Sequence, residues 1–145
     1  MKTGFAIFVI SALLAVFTSP ILRAQRRYTH DDSALQRQYE IDNDAYFDGN
    51  LPRDIQVVWS DIPRDADGDY VMAVTDQDVL GNSSRIEIDT KSNITGVTEQ
   101  LSLFHELCHV STGPYVRAHG EDPHGPAFTA CMHRLADERA FEGLW

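Results

Sequence analysis

Two histidines in this chain lie four positions apart, and a glutamate follows the first of them. They belong to the sequence HELCH, which runs from His105 to His109. On a helix, residues four apart lie on the same face, so both imidazoles can reach one metal ion. Glu106 lies one position further round and can approach an activated water without binding the ion. This HExxH spacing is typical of hydrolytic zinc sites, and it predicts a zinc ion with Glu106 as the general base.

The residues around HELCH have the polarity of a helix with one packed face and one polar face. Thr98 and Ser102 fall in the same arc as the two histidines, at about 100° per residue. The adjoining arc is apolar and is predicted to pack on a sheet; it contains Val97, Leu101, Phe104 and Cys108. Cys108 is therefore assigned to the packed face and not to the metal.

A catalytic zinc ion usually has three protein ligands, so a third ligand must come from elsewhere in the chain. His119, His124 and His133 are the candidates. His133 lies in the predicted third helix and is more simply a surface residue, whereas His119 and His124 each precede a glycine. His124 begins the sequence HGPAF, in which Pro126 suits the first turn of a helix and Phe128 can anchor that helix in the core. His119 lies in a predicted loop and has no such anchor. The sequence therefore favours His124 over His119.

The pattern of apolar residues and turns predicts an α+β fold. The expected elements are a helix from Asp32 or Ser33 to about Phe47, strands at 55–59, 70–74 and 85–89, a helix from Thr95 or Thr98 to Gly113-Pro114, and a helix from Pro126 towards Phe141. In this order, a small three-stranded sheet is expected to lie under the HELCH helix.

The first 24 residues are predicted to be a signal peptide. Lys2 precedes an apolar stretch from Phe5 to Phe17, and Ala24 offers a cleavage site. Residues 25–145 then form the mature domain, secreted or periplasmic. The arginines that follow the apolar stretch favour the alternative of an uncleaved membrane anchor. Contact with a membrane is expected through this segment alone.

The charge and the cysteines limit the possible partners and crosslinks. The 145 residues carry a formal net charge of −10, and such a surface repels phosphate backbones, so nucleic acid is not an expected partner. Cys108 and Cys131 lack the spacing of a metal site or a redox motif. Two separate buried thiols are the favoured interpretation, and a disulfide is the alternative in an exported protein.

Taken together, these features resemble the SprT-like domain family, which includes the Spartan proteases. The resemblance extends from about Leu35 to the C-terminus and rests on HELCH, on HGPAF, on the segments 46–51 and 55–59, and on 85–88. It implies a minimal zincin-like fold and peptidase activity on a protein or peptide substrate. It also implies that His105, His109 and His124 bind the zinc and that Glu106 is catalytic. The DNA-bound substrates of Spartan-type members are not expected for an acidic, exported domain.

Two other functions fit the same residues. One is a zinc hydrolase that acts on a non-peptide amide. The other is a binding protein that keeps the zinc fold without turnover, and the presence of Glu106 argues against it. The sequence makes no prediction of the oligomeric state.

Overall fold

Three helices and three strands form the part of the chain that the computed structural model describes, residues 30–144. Their order is α1 (Asp32–Tyr46), β1 (Gln56–Ser60), β2 (Ala73–Gln77), β3 (Ser83–Asp89), α2 (Gly96–His119) and α3 (Pro126–Asp137). The predicted α+β class and order of elements are confirmed. The predicted signal peptide, 1–24, lies outside the described residues. Among the helices of 30–144, none is long and apolar enough to cross a membrane.

The sheet is mixed, and β3 is its central strand. The spatial order is β1-β3-β2, with β1 parallel and β2 antiparallel to β3. Ile86 of β3 consequently lies between Val57 of β1 and Thr75 of β2. Ile86 and Val57 are buried, because this part of the sheet faces the helices. Both β1 and β2 are therefore edge strands.

The outer edge of β1 is covered by side chains of α1. The Gln36 amide donates to the carbonyl oxygen of Ile55 at 3.2 Å and accepts from the backbone N–H of Val57 at 2.9 Å. A carboxylate oxygen of Asp32 accepts from the backbone N–H of Trp59 at 2.8 Å. These bonds satisfy backbone groups that an edge strand would otherwise expose. They also hold α1 beside the sheet.

One hydrophobic core joins the sheet to the three helices. Its most deeply buried apolar side chains are Leu35, Tyr39, Val57, Ile86, Ile88, Leu103, Phe104, Leu107 and Leu135. The predicted packed face of α2 is confirmed at Phe104 and Cys108, which are both buried. Val97 is exposed, so its assignment to that face was wrong; packing of α2 begins one turn later.

Helix α2 continues through Gly113-Pro114 to His119, so its predicted end was wrong. A proline removes one backbone donor from a helix without ending it here, and Val116 in the following turn is buried. Gly113 allows the backbone at Gly81 to approach the helix closely, because a side chain at position 113 would overlap the carbonyl oxygen of Gly81. The helix ends at Gly120, whose left-handed φ of 64° and N–H bond to Val116 close the last turn.

The strands are shifted or extended by one to three residues relative to the prediction, and the last helix is shorter. Strand β2 begins at Ala73, because Tyr70 belongs to the preceding loop, where its exposed ring lies 3.7 Å from the guanidinium of Arg64. Helix α3 ends at Asp137, earlier than expected. Arg139 has a left-handed φ of 62°, which a continuing helix does not allow.

A disulfide joins Cys108 of α2 to Cys131 of α3, and their Cα atoms are 5.8 Å apart. The favoured prediction of two separate thiols was therefore wrong. The packing of the two helices brings the two Cα atoms within the distance that a disulfide can bridge. The sequence separation of 23 residues does not indicate this proximity. The bond fixes α3 to the helix that carries HELCH.

Candidate metal centre

Three histidine side chains converge at one point beside α2. His105 and His109 extend from α2, and His124 extends from the loop that leads into α3. The Nε2 atoms of His105 and His109 are 3.2 Å apart, and each lies 3.1 Å from Nε2 of His124. The structure thus brings together the three residues that the sequence predicts as metal ligands.

His119, the rejected candidate, lies elsewhere. The sequence predicted a loop at this position, but His119 is the last residue of α2. Its ring stacks on Tyr115 at 4.0 Å, and its Nδ1 lies 2.9 Å from the carbonyl oxygen of Tyr115. His119 is exposed and does not belong to the histidine cluster.

The nitrogen triangle has the dimensions of a metal site. Two ligands at about 2.05 Å from an ion in tetrahedral geometry are about 3.3 Å apart. The observed separations of 3.1–3.2 Å are close to that value. Hydrogen bonds among the three rings are a poor alternative. Each nitrogen of a neutral imidazole carries either a proton or a lone pair, so among three mutually close nitrogens at least two carry the same and cannot pair. Three converging nitrogens are instead compatible with one bound cation.

The pKa values of the two helical histidines favour the neutral form of each side chain. Burial lowers the pKa of His109 to about 4, and the neighbouring His105 and His124 add to this effect. Burial, followed by the charge of His124, also lowers the pKa of His105. Both imidazoles are therefore neutral near pH 7, and a neutral imidazole is the form that binds a metal.

A single aromatic ring supports all three histidines. The ring centroid of Phe128 lies 4.7 Å from that of His105, 4.6 Å from that of His109 and 4.8 Å from that of His124. Phe128 is itself buried, which confirms that it anchors the third helix in the core. Its contact with the whole cluster was not predicted, although the HGPAF spacing places it four residues after His124. Such an apolar support restricts the imidazole orientations and the access of solvent.

The sequence before α3 forms a tight turn that aims His124. A carboxylate oxygen of Asp122 accepts from the backbone N–H of His124 at 2.8 Å, and the carbonyl of Asp122 accepts from the N–H of Gly125 at 2.8 Å. A Cβ at Gly125 would lie 2.8 Å from that carbonyl oxygen, so this approach requires glycine. Pro126 then begins the helix, where its missing N–H has no consequence.

Glu106 lies beside the histidines but outside their cluster. Its side chain is 3% exposed, and its Oε2 accepts a hydrogen bond from the Thr75 hydroxyl at 2.6 Å. No residue within 30–144 donates to its Oε1. Burial raises the pKa of Glu106 to about 7, and the bond from Thr75 opposes that rise. Glu106 and His105 line the same cavity, of about 450 Å³, so the carboxylate shares this space with one member of the cluster.

Thr75 was not predicted as part of the site. It lies in the middle of β2, and it reaches Glu106 because β2 runs beside α2. The contact spans 31 positions in sequence, and no local pattern around Thr75 indicates it.

Helix α2 is held to the β2 region near both ends of that strand. At the start of β2, the Asn93 amide donates to the carbonyl of Met72 at 2.8 Å and accepts from the Ser102 hydroxyl at 2.7 Å. At its end, the Gln77 amide donates to the carbonyl of His109 at 3.0 Å. These bonds fix the rotation of α2, and therefore the direction in which its histidines point.

No family model matches the chain, and no solved structure matches it. The resemblance to the SprT-like family therefore stays a prediction.

Proposed function

We propose that this chain is a zinc-dependent endopeptidase of the SprT-like family, with a minimal zincin-like fold. His105, His109 and His124 bind the zinc ion, and Glu106 is the general base. One observation carries the proposal: three imidazole nitrogens lie 3.1–3.2 Å apart, and His105, one of the three, lines a cavity together with the buried carboxylate of Glu106, which is not part of the cluster.

The donor set supports zinc as the ion. Three neutral imidazoles with an open fourth position are a common ligand set of catalytic zinc, whereas magnesium and calcium prefer oxygen ligands. The Cys108 sulfur cannot join them, because it is held in the disulfide. When bound, zinc activates a water molecule and polarises the carbonyl of the substrate.

The surroundings of Glu106 support its role in proton transfer. The Thr75 hydroxyl holds Oε2, which leaves Oε1 to accept a proton from the attacking water. The same oxygen can then deliver that proton to the leaving nitrogen. Burying the Glu106 carboxylate costs free energy. A protein that only bound ligands would gain no catalysis in return for this cost. This argues for turnover over a non-catalytic binding role.

The position of β2 supports a polypeptide substrate over a small amide. Strand β2 is an edge strand, and its central residue Thr75 contacts Glu106. An edge strand presents backbone N–H and C=O groups with which an extended chain can pair. A peptide that pairs with β2 therefore passes the general base. A non-peptide amide would make no use of this edge, so we keep it as the second candidate.

The disulfide and the charge support an exported protein that acts on other proteins. Disulfides persist in oxidising compartments and are rare in the cytosol. The bond between Cys108 and Cys131 therefore favours secretion or the periplasm, with anchorage through the N-terminal segment as the alternative. The net charge of −10 favours a protein substrate over nucleic acid.

Exchange of the proposed base tests the mechanism. Glu106→Gln keeps the size of the side chain and removes the base, so zinc content and folding should persist. Turnover of unfolded casein should fall by about 10²–10⁴-fold, the usual effect of losing a general base. His105→Ala should instead lose metal and, with it, stability. Zinc content by elemental analysis, circular dichroism and casein cleavage distinguish the two variants.

A matched control and three outcomes complete the experiment. Glu99→Gln makes the same exchange on the same helix, outside the cavity, and should retain full activity. A Glu106→Gln protein that cleaves at a normal rate would refute the mechanism. A zinc-loaded wild type without any hydrolysis would favour the binding protein. Hydrolysis of simple amides without cleavage of casein would favour the second candidate.

A further inference from the structure

The cavity beside Glu106 and His105 has several apolar walls, and the hydroxyl residues Thr98 and Ser102 also line it. Its volume is about 450 Å³, within the range of ligand-binding pockets. The apolar residues that line it are Met72, Ala73, Leu101 and Met132. Among its lining residues, Glu106 carries the one carboxylate and there is no lysine or arginine. A charged group that enters this space finds no partner of opposite sign except at Glu106.

Three separate elements supply these apolar walls, and each is held in place. Met72 directly precedes β2, and the Asn93 amide binds its carbonyl oxygen. Leu101 extends from α2. Met132 extends from α3, next to Cys131, so the disulfide fixes that wall to α2. The cavity is consequently a preformed part of the fold and not a gap in a loop.

We propose that this cavity receives one large apolar side chain of the polypeptide substrate, of the leucine, methionine or phenylalanine class, from a residue beside the cleaved bond. The proposal rests on the proposed function. Because Glu106 lines the same cavity, a side chain seated there brings its own backbone amide to the general base. An apolar side chain gains free energy on leaving water, whereas an anionic one loses hydration and finds no cationic side chain among the lining residues. The two methionines allow the walls to adapt to side chains of different shape.

Profiling of cleavage sites tests the preference. Peptides from a denatured proteome are digested with the zinc-loaded protein, and the cleaved bonds are identified by mass spectrometry. At one of the two positions that flank the bond, Leu, Met and Phe should exceed Asp and Gly by about tenfold or more. A flat profile at both positions would overturn the inference and leave the peptidase proposal intact.

A charged residue in the cavity wall should change the preference in a defined direction. Met72 is 41% exposed and bonds through its backbone, so Met72→Lys should fold. It should lower kcat/KM for apolar residues at that position by about tenfold and raise the relative rate for Asp and Glu. Val79→Lys is the matched control, because Val79 is 84% exposed in the turn after β2 and does not line the cavity. Equal effects of the two lysines would overturn the assignment.

A binding measurement separates this inference from catalysis. Fluorescein-labelled peptides that differ by Leu or Asp at one position are titrated with zinc-loaded Glu106→Gln protein, and anisotropy is measured. The Leu peptide should bind about tenfold more tightly, and adding Met72→Lys should remove the difference. Selective binding without any cleavage by the wild type would support the apolar pocket while refuting the peptidase. Equal binding of both peptides would overturn the pocket.

Discussion

The disulfide between α2 and α3 allows the most quantitative test of the structure. Cys108 and Cys131 are separated by 23 positions in sequence. For a loop of that length, the loss of freedom in the unfolded chain corresponds to about 3.4 kcal/mol at 25 °C. Folded domains are usually stable by only about 5–15 kcal/mol. Replacement of both cysteines by alanine should therefore remove a large part of the free energy of unfolding and lower Tm by about 10 °C.

Urea unfolding of the zinc-free protein measures this effect without a contribution from metal binding. The wild type reduced with a phosphine is the control, because it loses the crosslink and keeps both sulfur atoms in the core. Reduced wild type and the Cys108→Ala, Cys131→Ala double variant should lose similar amounts of stability. A loss below about 1 kcal/mol in both would show that the crosslink does not restrict the unfolded chain as argued.

The same perturbation should reach the metal site. His124 lies just before α3, and the disulfide holds the middle of that helix to α2. Without the crosslink, the third ligand is held mainly by the packing of Phe128, so zinc affinity should fall by about tenfold, as for other supporting groups. Competition with a chromophoric chelator measures the change. An unchanged affinity would mean that Phe128 and the turn at Asp122 position His124 without help from the disulfide.

Three further predictions test individual side chains. His124→Ala should weaken zinc binding by more than about 100-fold in chelator competition, and His119→Ala should leave it unchanged; equal losses would contradict the assignment of the third ligand. Thr75→Val should lower casein turnover by about tenfold at unchanged zinc content, because the Thr75 hydroxyl holds Glu106. Thr75→Ser keeps a hydroxyl and should retain turnover near that of the wild type. Equal activity of the two variants would remove Thr75 from the mechanism. Burial raises the pKa of Asp42 to about 6, above its ordinary 3.8, so the folded state favours the protonated acid and loses stability as pH rises from about 4 to 6. Asp42→Asn should abolish that loss, on the order of 2 kcal/mol, in urea unfolding at pH 4 and pH 7, and a difference from wild type that stays constant with pH would contradict it.

The cluster of three histidines could be predicted because it depends on local geometry. His105 and His109 share a face in any helix, since four residues make slightly more than one turn. The HGPAF segment is also local: a tight turn at Gly125 and the anchor Phe128 aim His124 in the right direction. The order of helices and strands follows equally from short-range periodicity. For these features the sequence by itself was sufficient.

The remaining parts of the site depend on contacts between distant residues, and only the tertiary structure decided them. The bond from Thr75 to Glu106 depends on how β2 lies against α2, and the strand predicted at 70–74 ended before Thr75. The disulfide and the apolar cavity likewise depend on the packing of α3 against α2, which determines which side chains meet. Periodicity shows which face of an element is apolar, but it contains no information about which other element covers that face or at what register. The three clustered histidines could therefore be predicted from the sequence, while the contact of Thr75 with Glu106 and the walls of the cavity could not.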